Sequence, residues 1–580
     1  MKRILSIALL LVVTLLPTTA QDMTVTVDSV GQLSAQLPDS VRFTISELKI
    51  CGPLNSADVK VLQQISGRSK ARKPGEQVLK SVDLSEVTFV EGKGSAKQKV
   101  AEMPNGLFQG DKSLERVVLP ATATVVSKSC FSGCSGLTEV DFPDGIVTID
   151  DNAFQGCTSL AEVRLPDALT TIGKHAFEKC TALTKVEVPS GVITLDNSAF
   201  AACTSLQSIV IEGGITRLSN GLFQGCSRLE DVVLPSTVDV VGNDVFRDCQ
   251  SLAAIDLPDG ITELGNSAFE KCSSLRAIEL PSATKLGSNA FKGCVSLGSV
   301  ELERIDRIGS SAFEGCTSLS NVTIEGSLQS VANEMFAGCT SLSYVTLPQS
   351  VKTIGTRAFT NCKLLAYIDL PASLTRLQDH AFEGCSSLRE IFIPSMVKQM
   401  GSDTFEDCSS LDSVYIQGFV EKIESDVFRN CHSLRSIVLP VSVKSIGDNA
   451  FASCASLTEI LLPISVTSIG DNAFEKCASL TAIIVPAACT TIGSGSFREC
   501  TSMQRIELPA SLKKIGGNAF SKCVSLRDVV LASPLPPSIT HSTFKGITLG
   551  ACRFIVPRGA KQTYHNDKSW AKVPQIIEQP

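Results

Sequence analysis

The chain has 580 residues, 43% apolar and 19% charged, with 41 Gly and 25 Pro spread along it, which excludes disorder, collagen and a long coiled coil. Lys plus Arg number 52 against 59 Asp plus Glu, a formal charge of −7 that falls to −9 once Lys2 and Arg3 leave with the leader described below, so no basic footprint for nucleic acid remains. There are 26 Phe but only 4 Tyr and 1 Trp, together with 22 Cys, a lopsided usage in which one residue type serves one recurring position.

Residues 1–20 read as an export leader: Met1-Lys2-Arg3, an apolar run from Ile4 to Leu16, then Pro17 to Ala20, with cleavage after Ala20. The run is too short to span a bilayer, and no later segment approaches 18 uncharged apolar residues, so no membrane span is expected. The first Cys is Cys51, far from the cut, which speaks against a lipid-modified leader. The mature chain is therefore expected to be exported, at the cell surface or secreted, with the periplasm also open.

From Phe108 to Phe544 a phenylalanine recurs twenty times at a step of 23 residues, relaxed to 22 twice and 24 once. With that Phe as position 0, Cys stands at position 3 in eighteen consecutive units, Cys134 to Cys523. Position 6 is almost always Leu, positions 9 and 11 are aliphatic, position 12 is Pro in fourteen units, and position 19 is often Gly. Positions 9 and 11 alternate with polar neighbours, which predicts a short strand with one buried face, ended by the proline that withholds an N–H from the ladder. One such unit cannot bury its apolar positions alone, whereas stacked coils lay Phe on Phe, Cys on Cys and Leu on Leu. The expected fold is an α/β-type solenoid of about 19–20 coils over residues 105–545, with one parallel sheet, short strands and irregular or 3-10 turns.

Leu137-x-x-Val140-x-Phe142-Pro143 and its copies resemble the L-x-x-L-x-L core of leucine-rich repeats. The spacing A-F-x-x-C-x-S-L-x-x-I-x-L-P is similar to the bacterial BspA-like subclass. One departure is that the usual Asn or Cys three residues beyond the strand is missing, so an asparagine ladder cannot be assumed. The flanks resemble the same family: residues 21–104 its N-terminal cap with degenerate repeats, including a helix over Ser56–Ile65, and residues 546–580, with Phe554 and Trp570, its C-terminal cap. Physically, an end coil without a cap exposes its Phe and Leu. The basic stretches Gly67–Gly75 and Glu91–Lys99 read as solvated loops of the first cap.

The cysteines of an exported protein raise the question of disulfides. Neighbouring ladder cysteines fall within Cα bridging range but with parallel Cβ vectors, so free buried thiols are expected, small hydrophobes with no polar group to satisfy. Cys130 and Cys489 occupy inward positions as well, and Cys51 and Cys552 lie in opposite end segments. A 23-residue spacing offers no C-x-x-C metal chelate. His175, His380, His432, His541 and His565 are dispersed, and no G-x-S-x-G, H-E-x-x-H, P-loop or dinucleotide motif is present. Asp141, Asp144, Asp150 and Asp151 lack calcium-loop spacing and read as solvated surface. No enzyme, cofactor or metal is expected.

If positions 9 and 11 point inward, positions 8 and 10 form an exposed sheet face. Position 10 carries Asp256, Glu279 and Glu301 and then, further on, Phe392, Tyr415, Val438, Leu461 and Ile484; Tyr344 and Tyr367 stand at position 8. Phe419 follows in the same region. The candidate binding strip is therefore Tyr344, Tyr367, Phe392, Tyr415, Val438, Leu461 and Ile484, adjoined by the acidic trio. Strand propensity alone is the competing explanation of the same columns, as for Val210 and Val233. The resemblance implies binding, since BspA-like proteins are associated with surfaces of host-dwelling bacteria and adhesion to host or bacterial proteins. The residues themselves predict a non-enzymatic interaction scaffold with a protein partner. Stacking on glycan rings and self-association, as in a structural envelope protein, are the alternatives.

Overall fold

The computed structural model describes residues 21–66, 78–91, 98–280 and 282–580. The leader, the stretch 67–75 and most of the stretch 91–99 lie outside them. The chain forms two compact units, Met1–Leu206 and Gln207–Pro580.

The first unit begins with the parallel strands Gln21–Thr26, Ile45–Leu54 and Ser81–Glu91, in register Val25 to Ile50 and Leu48 to Val82. Between the second and third, the helix Ser56–Ile65 forms where the sequence predicts it. Its start is fixed by a capping box: the Asn55 side chain accepts from the N–H groups of Ala57 and Asp58, and the Asp58 carboxylate accepts from the Asn55 N–H. Asp58 also takes the N–H groups of Gly31 at 2.6 Å and Leu33 at 3.0 Å, so this buried carboxylate ties the preceding loop to the helix. The strand Arg116–Val118 continues the sheet, and from there the repeat takes over.

Within each unit the repeat stacks as a solenoid of parallel coils. Positions 9 and 11 are buried and positions 8 and 10 are turned out, as in Lys185–Val188 and Glu390–Ile393. Proline at position 12 ends the strand for the reason given above. Where Glu303 and Glu325 replace it, the strands run on as Ser299–Ile305 and Asn321–Gly326. The expectation of one strand per coil is too few. A second series of two-residue strands occupies positions 17 and 18, such as Ser445–Ile446, Ser468–Ile469 and Thr491–Ile492, and builds its own parallel ladder. Two residues carry too little alternation to read as a strand; the backbone pairing comes from the adjacent coil.

The core is the phenylalanine stack. From Phe108 to Phe200 and from Phe223 to Phe544, consecutive rings lie 5.0–5.7 Å apart, within 23° of parallel. Every stacking ring but Phe544 is flanked by two left-handed residues, one two positions before it and one two positions after it. His175 (φ 56°) and Lys179 (φ 62°) flank Phe177 in this way, which explains why glycine recurs at position 2, as at Gly133 and Gly156. Glycine at position 19 has a different cause. A Cβ on Gly470 would stand 2.6 Å from the Gly447 carbonyl carbon and 2.7 Å from the Asp448 nitrogen, so at this close approach a side chain would force the neighbouring coil to shift.

All 22 cysteines are reduced thiols. The ladder cysteines are nevertheless not inert spacers: Cys Sγ donates to the carbonyl of the Phe one coil earlier, as Cys134 to Phe108 at 3.0 Å and Cys339 to Phe313 at 3.1 Å. The expectation of a position with no polar group to satisfy is thus corrected: the Phe carbonyl, which already accepts the N–H three residues on in its own coil, takes the thiol of the next coil as a second donor. An asparagine ladder also exists, away from its familiar place. At position 20, Asn220 and Asn243 accept the backbone N–H of Asn243 and Asn266, each at 2.8 Å. At the C-terminal end, Phe554 and Trp570 pack edge-on against Phe544, the last ladder ring, while Trp570 Nε1 donates to the Pro537 carbonyl and the Tyr564 hydroxyl to that of Ser533.

Candidate binding face on the parallel sheet

The second unit carries every residue of the candidate strip. Register sets the rank: Phe392 pairs with Tyr415, Tyr415 with Val438, and Val438 bridges Leu461. Because the strands are parallel and in phase, one exposed column repeats at every coil. Phe392 and Tyr415 stack at 4.6 Å with an interplanar angle of 9°. Exposure then rises along the column, to 77% at Val438 and 83% at Leu461, with Ile484 also exposed. Tyr344 and Tyr367 are exposed too, two residues earlier in their coils and so off the line of that stack.

The structure adds a second rank that column reading at positions 8 and 10 misses. Met396, Phe419, Val441 and Ile464, at positions 13 and 14 beyond the strand, are all exposed, Ile464 at 86%. The same periodic reading carried past the proline would find them. Together the ranks hold apolar residues in five successive coils, and none of those position-10 sites is charged.

Asp256, Glu279 and Glu301 are exposed, in the same column. They do not touch the apolar rank: Glu301 pairs with Thr323 and Thr323 with Thr346, and Asp369 follows before Phe392. Threonines, not aromatics, stand next to the trio.

A charged cluster lies elsewhere, where positions 21 and 1 of adjacent coils meet. His380 Nδ1 stands 2.9 Å from Glu383, and Arg429 lies 3.3 Å from Glu406 and 3.2 Å from Asp426. Burial, then the neighbouring Asp403 carboxylate, push the Glu406 carboxyl up to about 7 despite Arg429. Among the described residues, the sets His380, Glu383, Glu406 and Asp403, Glu406, Asp426 bring ligand atoms within 4.8 Å, the arginine already supplying a cation to the second. Sequence reading missed this cluster because its short-range pairs, His380 with Glu383, Asp403 with Glu406 and Asp426 with Arg429, lie in different coils, 20–26 residues apart, and only stacking brings them together.

The fold and the open sheet face define a class: a leucine-rich-repeat solenoid, a framework that typically serves as a non-enzymatic scaffold for protein interaction. The BspA type Leucine rich repeat region matches residues 101–230, 218–331, 306–435 and 421–549, and the chain belongs to this family. Among solved structures, a leucine-rich repeat protein from Bacteroides ovatus is 29% identical, with a TM-score of 0.54, covering 62% of this chain and 92% of its own. A leucine rich cell surface protein from Faecalibacterium prausnitzii is 21% identical, with a TM-score of 0.31, covering 79% of this chain and 89% of its own. A leucine rich repeat protein from T. pallidum is 32% identical, with a TM-score of 0.27, over 30% of this chain and 77% of its own. No curated protein matches the chain.

Proposed function

We propose that this chain is an exported bacterial interaction scaffold, at the cell surface or secreted, that mediates adhesion by binding a protein through the strip from Tyr344 to Ile484. The carrying observation is the apolar double rank on an open sheet face, with Leu461 and Ile464 more than four-fifths exposed. Strand propensity favours apolar residues within strands, but it has no bearing on Met396, Phe419, Val441 and Ile464, which lie beyond the strand ends. Contiguous exposed apolar surface marks interaction sites, and Tyr and Phe supply anchors. The leader at residues 1–20 and the family support an extracellular or surface location, and no helix among the described residues is long and apolar enough to cross a membrane. Asp256, Glu279 and Glu301 would orient a basic region of the partner.

A glycan is the weaker reading. Phe392 and Tyr415 turn ring faces on each other, whereas a sugar needs an open face. The test is binding of residues 21–580 to arrays of matrix proteins, bacterial surface proteins and glycans, beside a Tyr344, Tyr367, Phe392, Tyr415 quadruple-alanine variant of verified fold. Protein binding lost in the variant is the expected result; binding retained in full moves the site elsewhere.

A further inference from the structure

We infer that the occupant of the strip is a second copy of this chain, docked sheet face to sheet face with its coils running in the opposite direction; this rests on the reading of the strip as a binding site. The area is of the right size. The nine side chains of the two ranks from Phe392 to Ile484 are between about half and nine-tenths exposed. At roughly 200 Å² for a large side chain they present on the order of 1,000 Å². That exceeds the roughly 300–600 Å² of the largest patch on an ordinary monomer and matches the about 800 Å² that each partner buries in a stable complex.

The composition also selects the occupant. Transient interfaces are about as polar as the rest of a surface, while homodimer interfaces are more apolar and their centres lose charged residues. Here the centre is Tyr415, Phe419, Val438 and Val441, with neither Lys nor Glu at those positions.

The sequence of the strip is self-complementary under one operation. A two-fold axis along the strand direction, placed between the coils of Phe405 and Phe428, keeps strand position and reverses coil order. Tyr415 then meets Val438 of the second copy and Phe392 meets Leu461, so in these four coils the aromatic half of the rank covers the aliphatic half of the other; at the ends Ile484 meets Asp369 and, at position 8, Tyr367 meets Ala482. In the outer rank Phe419 faces Val441 and Met396 faces Ile464. At position 7 the same axis sets the exposed Asp412 opposite the exposed Arg435 of the second copy, twice by symmetry. Glu390 and Glu459 become a like-charged pair, both exposed, where water and salt screen them.

Sedimentation equilibrium of the full chain tests this, with circular dichroism confirming the fold of each variant. The expected result is a dimer with a dissociation constant of about a micromolar or tighter. Leu461→Glu with Ile464→Glu should leave only monomer. Asp412→Arg and Arg435→Asp should each weaken self-association at least about tenfold, and an equimolar mixture of the two should restore it, because only in the reversed heterodimer do all four charges pair. A wild-type monomer at high concentration, or a dimer indifferent to the strip variant, overturns the inference. Strip-dependent loss without rescue in the mixture overturns the reversed arrangement. A monomer that still binds another protein through the strip leaves the binding-site reading standing without this occupant, whereas a monomer with no strip-dependent binding removes both.

Discussion

Phe392 stacks on Tyr415 with ring centroids 4.6 Å apart, and the two are direct partners across neighbouring parallel strands, yet both are nearly half exposed. The pair is therefore held by the sheet without being part of the core. A double-mutant cycle of Phe392→Ala and Tyr415→Ala in urea unfolding should give a coupling of about 0.5–1 kcal/mol. A coupling near zero would show that the rings do not hold each other in solution.

Removing a ladder ring has a much larger effect. Phe313 is fully buried, stacked between Phe291 and Phe336. Phe313→Ala should cost about 3–5 kcal/mol through lost burial and the cavity left behind. Calorimetry or urea unfolding measures it, and a negligible loss would mean that the ring stack is not the core.

One substitution should stabilise. Ala202 occupies the left-handed position after Phe200 with φ 57°, where many coils carry glycine. An L-residue there costs about 1–2 kcal/mol, and the greater unfolded-state freedom of glycine offsets about 0.4–1 kcal/mol of that. Ala202→Gly should raise stability by about 0.5–1 kcal/mol, read as a higher urea midpoint.

The thiols should be silent in the native chain. Burial pushes Cys180, Cys294, Cys339 and Cys385 up to about 12, so almost no thiolate is present at pH 8. A thiol reagent at that pH should leave the ladder unmodified and react first at half-buried Cys51, then at all 22 after denaturation. Fast native labelling of ladder cysteines would contradict the packing.

Stability should depend on Glu406. Its folded value of about 7 lies above the ordinary 4.5, so the folded chain holds this proton more tightly than the unfolded chain. Its contribution is fully present below about 4.5, declines as pH rises and is gone above about 7. Glu406→Gln, neutral throughout and still facing Asp403, Asp407, Asp426, Arg429 and His380, should flatten this slope. Urea midpoints between pH 4.5 and 8 would show it, and parallel curves for the two proteins would refute the assignment.

The sequence by itself determined the coil length, the phenylalanine core, the buried face and the outward column from Phe392 to Ile484. These are properties of a period and an alternation, and both are visible along one chain. Tertiary structure decided what the period leaves open, namely which atoms of successive coils face one another. The Cys339 thiol reaches the Phe313 carbonyl, Asn243 takes the N–H of Asn266, and Gly470 admits the backbone at Gly447, contacts between residues 23 or 26 apart that no local pattern encodes. The second rank, Met396, Phe419, Val441 and Ile464, became part of the face for the same reason: coil stacking brings residues beyond the strand end alongside those within it.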